Sequence, residues 1–598
     1  MTSNYTVRTD SYRNLVKKLE LPRYQRKLVW SKTQKEEFIK SIKEGFPFGS
    51  LLLFKYEPKE RFSLIDGLQR LSTLIHFEKE PYLYFEEDFI EVVNEIIEKF
   101  YNSKSESIKS EFRKELINIM NEVFSDNLSD VRTINLFEKI QANSKFFEMT
   151  SNDHMRYFIN LGDNLKEKLK NSINLENLQI PIIEFNGSED QLVEVFERIN
   201  RGGVKLTKYQ IFAAQWINFT INLNNSEYNK KLLNKVIDRY RILQETRGIE
   251  IEDYDEDKFR ERSEINLSEL CYGIGKLISD NSEVFITSDK DEDLAYELGF
   301  CIMGVISKVS NNELSKLSSK YKDITSDKIE KFCEQILKIF SDLEDEFKKY
   351  LKFNDLYISE FSNFQYISFF TSLWIEKYQE VNPYEFKEKP KYKSIYNSIK
   401  EKLPKWYLHD RLINFWGATG DKKLNDFYIE DNNRYLKDID SSKLENALID
   451  WNKESLEKKS EKISSLSKLV LVYYYNTKDM EIVNLNSKNI KYDFEHIISK
   501  KRIKEILERD PKFPGGNIGN ICFLDIKTNR GKGNKTVYDD TNPVQKVDSK
   551  IIEDIGYPTE SELKFMSNEH MDIIEYKRFV KIRSKDIITT LIKNLYSK

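Results

Sequence analysis

The chain has 598 residues, 39% of them hydrophobic and 32% charged, with a formal net charge of −4. That length exceeds what one hydrophobic core usually serves, so several domains are expected, and 33 Tyr with 38 Phe exclude global disorder. The charge balance does not mark a bulk nucleic-acid binder, yet 95 Lys and Arg leave ample material for a local basic surface.

Only 12 Pro and 20 Gly punctuate the chain, which favours long helices over a strand-and-turn architecture. The polar stretch Met1 to Arg13 carries no secretory signal pattern, and no apolar run approaches the ~20 residues of a membrane span. Cys271, Cys301, Cys333 and Cys522 form no Cys-x-x-Cys pair, which argues against a zinc site or disulfide framework and for a reducing, cytoplasmic setting.

In chain order, the first 80 residues read as mixed α/β. A helix is expected over 31–45, with Phe38, Ile39 and Ile42 on one side, and strands over 50–56 and 62–65. Residues 88–169 have helical spacing, and 180–185 read as a buried strand. A helix over 189–199, a Gly-Gly turn and a second helix from Thr207 follow. From about 217 to 465 the pattern is mostly helical, with 250–257 as a charged surface loop and Trp416-Gly-Ala-Thr-Gly as a packed turn or a loop against a partner. The apolar run 469–475 suits a core strand or a helix turn. From about 466 short strands and Gly/Asn turns are expected. The expected partition is 1–215 (with a helical insertion over about 88–170), 216–465 and 466–598.

The richest chemistry lies near the C-terminus. Asp493-Phe-Glu495-His496 ends a short apolar strand, and alternation sends Asp493 and Glu495 to the same side. Asn517-Ile-Gly-Asn520, a strand over 521–524 and Asn529-Arg530-Gly-Lys532-Gly-Asn-Lys535 follow, giving strand, loop, strand, helix start. Hydrolysing a phosphodiester needs a base near neutral pH, and histidine is the side chain with that unperturbed pKa. It also needs a cation. Mg²⁺ or Mn²⁺ takes oxygen ligands, which Glu495 or Asp493 and Asn529 can supply. Asn520 can orient the His496 imidazole, and Arg530, Lys532 and Lys535 can grip a DNA backbone. A lone Glu-His pair is usually ordinary surface chemistry. Here the chain holds only five His, and the Asn cluster falls where such a site needs its partners.

A second constellation lies near the N-terminus. Ile65-Asp66-Gly67-Leu68-Gln69-Arg70 reads as strand, tight turn, helix. Gly67 permits the turn, and Gln69 and Arg70 sit in the first helical turn, where backbone N–H groups and the dipole favour phosphate. Arg23 and Arg26 add positive charge if the fold brings them near.

The motif Glu495-His496-Ile497, with Asn520 and Asn529-Arg-Gly-Lys, resembles the HNH domain of CRISPR effector nucleases and, more closely, the C-terminal domain of the GmrSD restriction endonucleases. Ser499 departs from that motif, which has Pro there. Pro22-x-Tyr-Gln-Arg26 to Trp30, Asp66-Gly-Leu-Gln-Arg70 and Phe196 to Thr207 resemble the GmrSD N-terminal domain; Leu68 stands where that family has a first Gln. The resemblance implies a multidomain α+β chain: a ParB/sulfiredoxin-like N-terminal domain, a helical middle and a C-terminal ββα-metal HNH domain. It further implies an antiphage endonuclease with a nucleoside triphosphate bound at Asp66, Gly67, Gln69, Arg70, Arg23 and Arg26. The nucleotide's identity stays open. Mg²⁺ or Mn²⁺ is the expected cofactor, double-stranded DNA, modified phage DNA included, is the expected partner, and a homo-oligomer stays open. The rival reading is a nucleotide-sensing DNA-binding scaffold with a degenerate HNH fold.

Overall fold

A computed structural model of the chain describes residues 4–21, 30–55, 61–124, 131–143, 151–187, 195, 209, 216, 219–247, 251, 254–286, 292–417, 420–478, 491–526, 536–538, 555–567 and 572–597. The chain divides into two compact units, Met1–Asn218 with Val236–Arg262, and Phe219–Lys235 with Ser263–Lys598. The architecture is mixed α/β, dominated by helices with small sheets.

In the first unit, strands β1 (Tyr5–Ser11), β2 (Leu19–Glu20), β3 (Leu51–Lys55), β4 (Phe62–Asp66) and β5 (Gln179–Phe185) form a mixed sheet in the order β1-β5-β3-β4-β2. β5, last in sequence, lies antiparallel to β1 and parallel to β3. β3 and β4 are central and largely buried, so their sequences, LLLFK and FSLID, run apolar instead of alternating. Helix α1 (Tyr12–Lys18) follows β1. Helix α2 (Lys32–Lys43) opens on a capping box in which Ser31 and Gln34 satisfy each other's backbone N–H, and it buries Phe38 and Ile39. Helix α3 (Leu68–Lys79) follows β4 directly.

Four helices separate α3 from β5: α4 (Glu86–Tyr101), α5 (Glu106–Val123), α6 (Ile134–Ala142) and α7 (Asn152–Ser172). Their helical periodicity is that of an apolar stripe; in α4 the buried positions Phe89, Val93, Ile96 and Ile97 are spaced by three and four. The helices expected over 189–199 and from Thr207 lie outside the described residues, apart from isolated positions.

The second unit is a helical body. Its helices Leu267–Asp280 and Glu292–Ser307 approach to backbone contact. A Cβ on Gly299 would fall 1.7 Å from the Cys271 carbonyl oxygen, and one on Gly275 would fall 1.8 Å from that of Ala295. Only glycine fits at these two crossings. The long helix Ser326–Leu351 supplies carboxylates that cap neighbouring turns: partly exposed Glu330 accepts from the amides of Tyr228 and Asn229, and buried Glu344 from the Ser282 hydroxyl and the Val284 amide. Burial pushes the Glu344 carboxyl above its ordinary range.

Trp416 is buried, and its indole N–H donates to Asp410 at 3.2 Å, so the Trp-Gly-Ala-Thr-Gly segment begins as a packed turn; residues 418–419 lie outside the described set. The run 469–475 belongs to a helix, Ser465–Thr477, and the first strand after it among the described residues is Tyr492–His496. Continuous apolar sequence suits a helix buried all round as well as it suits a central strand, which is why the pattern left both open. All four cysteines are buried and free. No helix among the described residues is long and apolar enough to cross a membrane.

Candidate functional site

The N-terminal turn is built as the sequence suggests. Gly67 has φ +101°, and a Cβ there would meet Leu51 Cδ2 at 2.2 Å, so the turn needs glycine both for its dihedral and for its close approach to β3. Gln69 and Arg70 fall in the first turn of α3. Asp66 closes β4, and Arg70 Nη2 donates to its carboxylate at 2.8 Å, with both side chains partly exposed. Gln69 is buried, and its Oε1 accepts the Trp30 backbone amide at 3.1 Å. The segment ending in Trp30 and the Asp-Gly-Leu-Gln-Arg turn are therefore joined by a hydrogen bond, although nearly forty residues separate them in sequence. Arg23 and Arg26 lie outside the described residues.

Sequence reasoning missed Gly49. It has φ +81°, and a Cβ there would stand 2.4 Å from Arg70 Nη1. The guanidinium thus rests against bare backbone. The only signal was a glycine just before a strand, which any loop can carry.

At the C-terminal constellation the strand Tyr492–His496 pairs antiparallel with Ile521–Asp525. The register sets Asp493 opposite Leu524, Glu495 opposite Cys522 and His496 opposite Ile521. Asp493 and Glu495 share one face; His496 shares the other with Tyr492 and Phe494. Asp493 is exposed and accepts the amide of Phe494, and Glu495 is partly buried. Tyr557 lies close enough to Glu495 and Cys522 for both to push its phenol pKa up, on top of the larger effect of burial. Two carboxylates on alternate positions of a strand end are a hard oxygen donor set suited to Mg²⁺ or Mn²⁺. Among the described residues no group of three or more His, Cys, Asp or Glu side chains gathers. The expected third oxygen, from Asn529, lies outside those residues, as do Arg530, Lys532, Lys535 and the helix start that carries them.

Three features differ from expectation. His496, the expected base for an attacking water, is only 3% exposed. Strand alternation puts it on the hairpin face where Phe494 packs on Phe523 and Tyr475 stacks on Phe523 at 3.9 Å. Asn520 was expected to orient the imidazole. Its side chain instead grips main chain: Oδ1 accepts the Ile498 amide at 2.8 Å, and Nδ2 donates to the Gly515 carbonyl at 2.7 Å. It sets the course of the chain leaving His496. Third, the connection between the strands contains a helix, Lys500–Arg509. Ser499 is its N-cap, accepting the Arg502 amide at 3.3 Å. The residue found where the related motif has proline is thus a helix-starting residue.

Arg583, on the helix Ile573–Tyr596, was not singled out by sequence. Its guanidinium donates to the carbonyls of Ile518, Gly519 and Ile521, the last at 2.7 Å, and to Gly556. Asn517 extends this anchoring: it caps the Ile518–Asn520 turn and donates to Asn452, which in turn donates to Ser584. Gly519 lets that turn touch the helix, since a Cβ there would lie 2.0 Å from the Val580 oxygen. An arginine in an amphipathic helix carries no sequence mark distinguishing this role from a solvated one.

Among the described residues, a mixed sheet with a strand–glycine–helix turn and a separate hairpin bearing two carboxylates and a histidine carry the chemistry that the sequence singled out. Residues 9–217 match the family model described as the N-terminal domain of the GmrSD restriction endonucleases. That relates the β1–β5 sheet and the turn between β4 and α3 to a restriction endonuclease family. An uncharacterized protein of Methanocaldococcus jannaschii is 26% identical over 261 residues, covering 35% of this chain and 42% of the relative. The similarity therefore spans less than half the length of that curated relative.

Proposed function

We propose that the protein is a DNA endonuclease of the GmrSD type, serving antiphage restriction in the cytoplasm. In this reading a ParB/sulfiredoxin-like N-terminal domain binds and hydrolyses a nucleoside triphosphate and gates a ββα-metal HNH hairpin. The observation that carries the nuclease reading is the antiparallel pairing that sets Asp493, Glu495 and His496 against Ile521–Asp525, with the Asn520 amide holding the chain just beyond His496.

His496 would take the proton of the attacking water, a role suited to an imidazole because its neutral form is a base near neutral pH. Glu495 or Asp493, with Asn529, would hold Mg²⁺ or Mn²⁺, which supplies charge neutralisation at the scissile phosphate. Arg530, Lys532 and Lys535 would hold the backbone of double-stranded DNA. In the N-terminal unit, Arg70 offers its remaining guanidinium N–H groups to a phosphate beside the first turn of α3, with Gly67 and Gln69 shaping the turn and Arg23 and Arg26 adding charge. Selectivity for modified DNA belongs to the same proposal.

A second reading, a nucleotide-sensing DNA-binding scaffold with a degenerate HNH fold, is favoured by one observation: His496 is buried and lies on the face of the hairpin opposite Glu495. Incubating the full chain with plasmid and Mg²⁺, with and without nucleoside triphosphate, separates the two. Cleavage that disappears in His496→Ala supports the nuclease; DNA binding with no cleavage under any of these conditions supports the scaffold. Digesting a panel of plain and modified phage genomes then tests the selectivity.

A further inference from the structure

The helix Lys500–Arg509, which begins just past His496, carries Lys500, Lys501 and Arg502 in its first turn and no acidic residue there. This inverts the usual arrangement. The helices Glu86–Tyr101, Glu256–Arg262 and Glu292–Ser307 all open on carboxylates. A helix N-terminus carries about half a positive charge, so cations in the first turn work against the helix. Ser499 caps the helix, but among the described residues no carboxylate pairs with these lysines. Among the described residues the ion pairs at this helix are a loose Arg502–Glu505 contact at 3.9 Å and, just past its end, Asp510–Lys577; Lys500, Lys501 and Lys504 take part in neither.

The three lysines are exposed. Lys504 sits one turn beyond Lys500 and so shares its side of the helix. The opposite side is fixed in place: Ile503, Ile506 and Leu507 pack with Ile498, Phe513, Tyr576 and Val580. The helix cannot roll, and its basic start is held outward. The half farther from His496 carries Glu505 and Glu508 before Arg509, so the unopposed positive charge gathers at the start. A local arrangement that costs stability with no partner in the fold marks a surface kept for a ligand. A ligand that complements this surface is anionic, and the surface opens four residues past His496 in the chain.

We propose that Lys500, Lys501 and Lys504 form a docking surface for the phosphate backbone of double-stranded DNA, holding it beside the hairpin that carries Asp493 and Glu495. This rests on the reading of the hairpin as a DNA-handling site, and it applies whether or not the hairpin cuts.

The test uses the full chain, a fluorescent plain duplex of about 30 base pairs and EDTA, so that binding is read without cleavage. Affinity is measured from low to high salt for the wild type, the triple variant K500A/K501A/K504A and a control triple variant at exposed lysines elsewhere, K322A/K393A/K422A. Each phosphate contact contributes about 0.9 to the slope of log affinity against log salt. The expected result is a slope lower by about two to three in the K500A/K501A/K504A variant, affinity at least tenfold weaker at physiological salt, and little change in the control. Thermal melts complete the test: relieving the dipole conflict should leave the variant melting at or above the wild type. An unchanged slope, a slope lowered equally in both triple variants, or a wild type that binds no duplex overturns the proposal. Failure of the nuclease reading looks different: normal binding and slope loss, with no cleavage once Mg²⁺ is restored.

Discussion

The Oδ1 of Asn520 accepts the main-chain amide of Ile498 at 2.8 Å, and the Asn520 carbonyl accepts the amide of Ile497 at 2.8 Å. One residue thereby holds both peptide groups that follow His496. Asn520 is fully buried, so neither bond competes with water. The position of the histidine backbone depends on this asparagine, and the asparagine's own turn depends on the Arg583 guanidinium.

Asn520→Ala should therefore cost stability as well as activity. It strands the Ile498 amide and the Gly515 carbonyl in the interior, for about 1–3 kcal/mol. Asn520→Asp should be at least as harmful, because it turns a carboxylate oxygen toward the Gly515 carbonyl where Nδ2 now donates. Urea midpoints of the two variants check this; wild-type midpoints would show that the turn does not depend on the amide.

His496→Ala should abolish plasmid cleavage. With the ring buried, it should also lower stability by about 1–2 kcal/mol, through lost packing. Nicking at the wild-type rate by a folded variant would remove His496 from the chemistry.

Arg583→Lys keeps one charge, but an ammonium cannot span the four carbonyls that the guanidinium reaches. The expected result is a fall of about tenfold or more in kcat, with duplex affinity near that of the wild type and faster hydrogen exchange at the Ile497 and Ile498 amides. Unchanged exchange and unchanged kcat together would make Arg583 a bystander.

Cleavage should require a divalent cation and stop with EDTA. Asn529→Ala should raise the Mg²⁺ concentration needed for half-maximal rate, since alanine offers no oxygen. A superimposable metal titration would exclude Asn529 as a ligand.

In the N-terminal unit, Asp66→Ala and Arg70→Ala should impair triphosphate turnover and protection against phage. Gly49→Ala should act in the same direction, because its methyl would occupy the place of Arg70 Nη1. The influence on the hairpin must run through a change in domain state that the nucleotide favours. Three folded variants with normal turnover, cleavage and plaque counts would reduce the Asp-Gly-Leu-Gln-Arg segment to a structural turn.

By itself the sequence determined the local elements whose causes are local. Gly67 between an apolar run and a helical pattern marked a turn that only glycine tolerates, and the turn has φ +101°. The three-and-four spacing of Phe89, Val93, Ile96 and Ile97 marked α4. Period-two alternation put Asp493 and Glu495 on one face, as the hairpin register has them. What only the tertiary structure decided depends on partners far away in the chain. The all-apolar run around Val470 is helix because neighbouring helices bury it on every side, a choice that its periodicity does not contain. The burial of His496 follows from which face of a short strand meets Tyr475 and Phe523. The role of Asn520 follows from the backbone it finds at Ile498 and Gly515. Arg583 and Gly49 act through backbone groups, and every residue carries the same backbone. No pattern of side-chain types announces such contacts, so chain packing alone decides them.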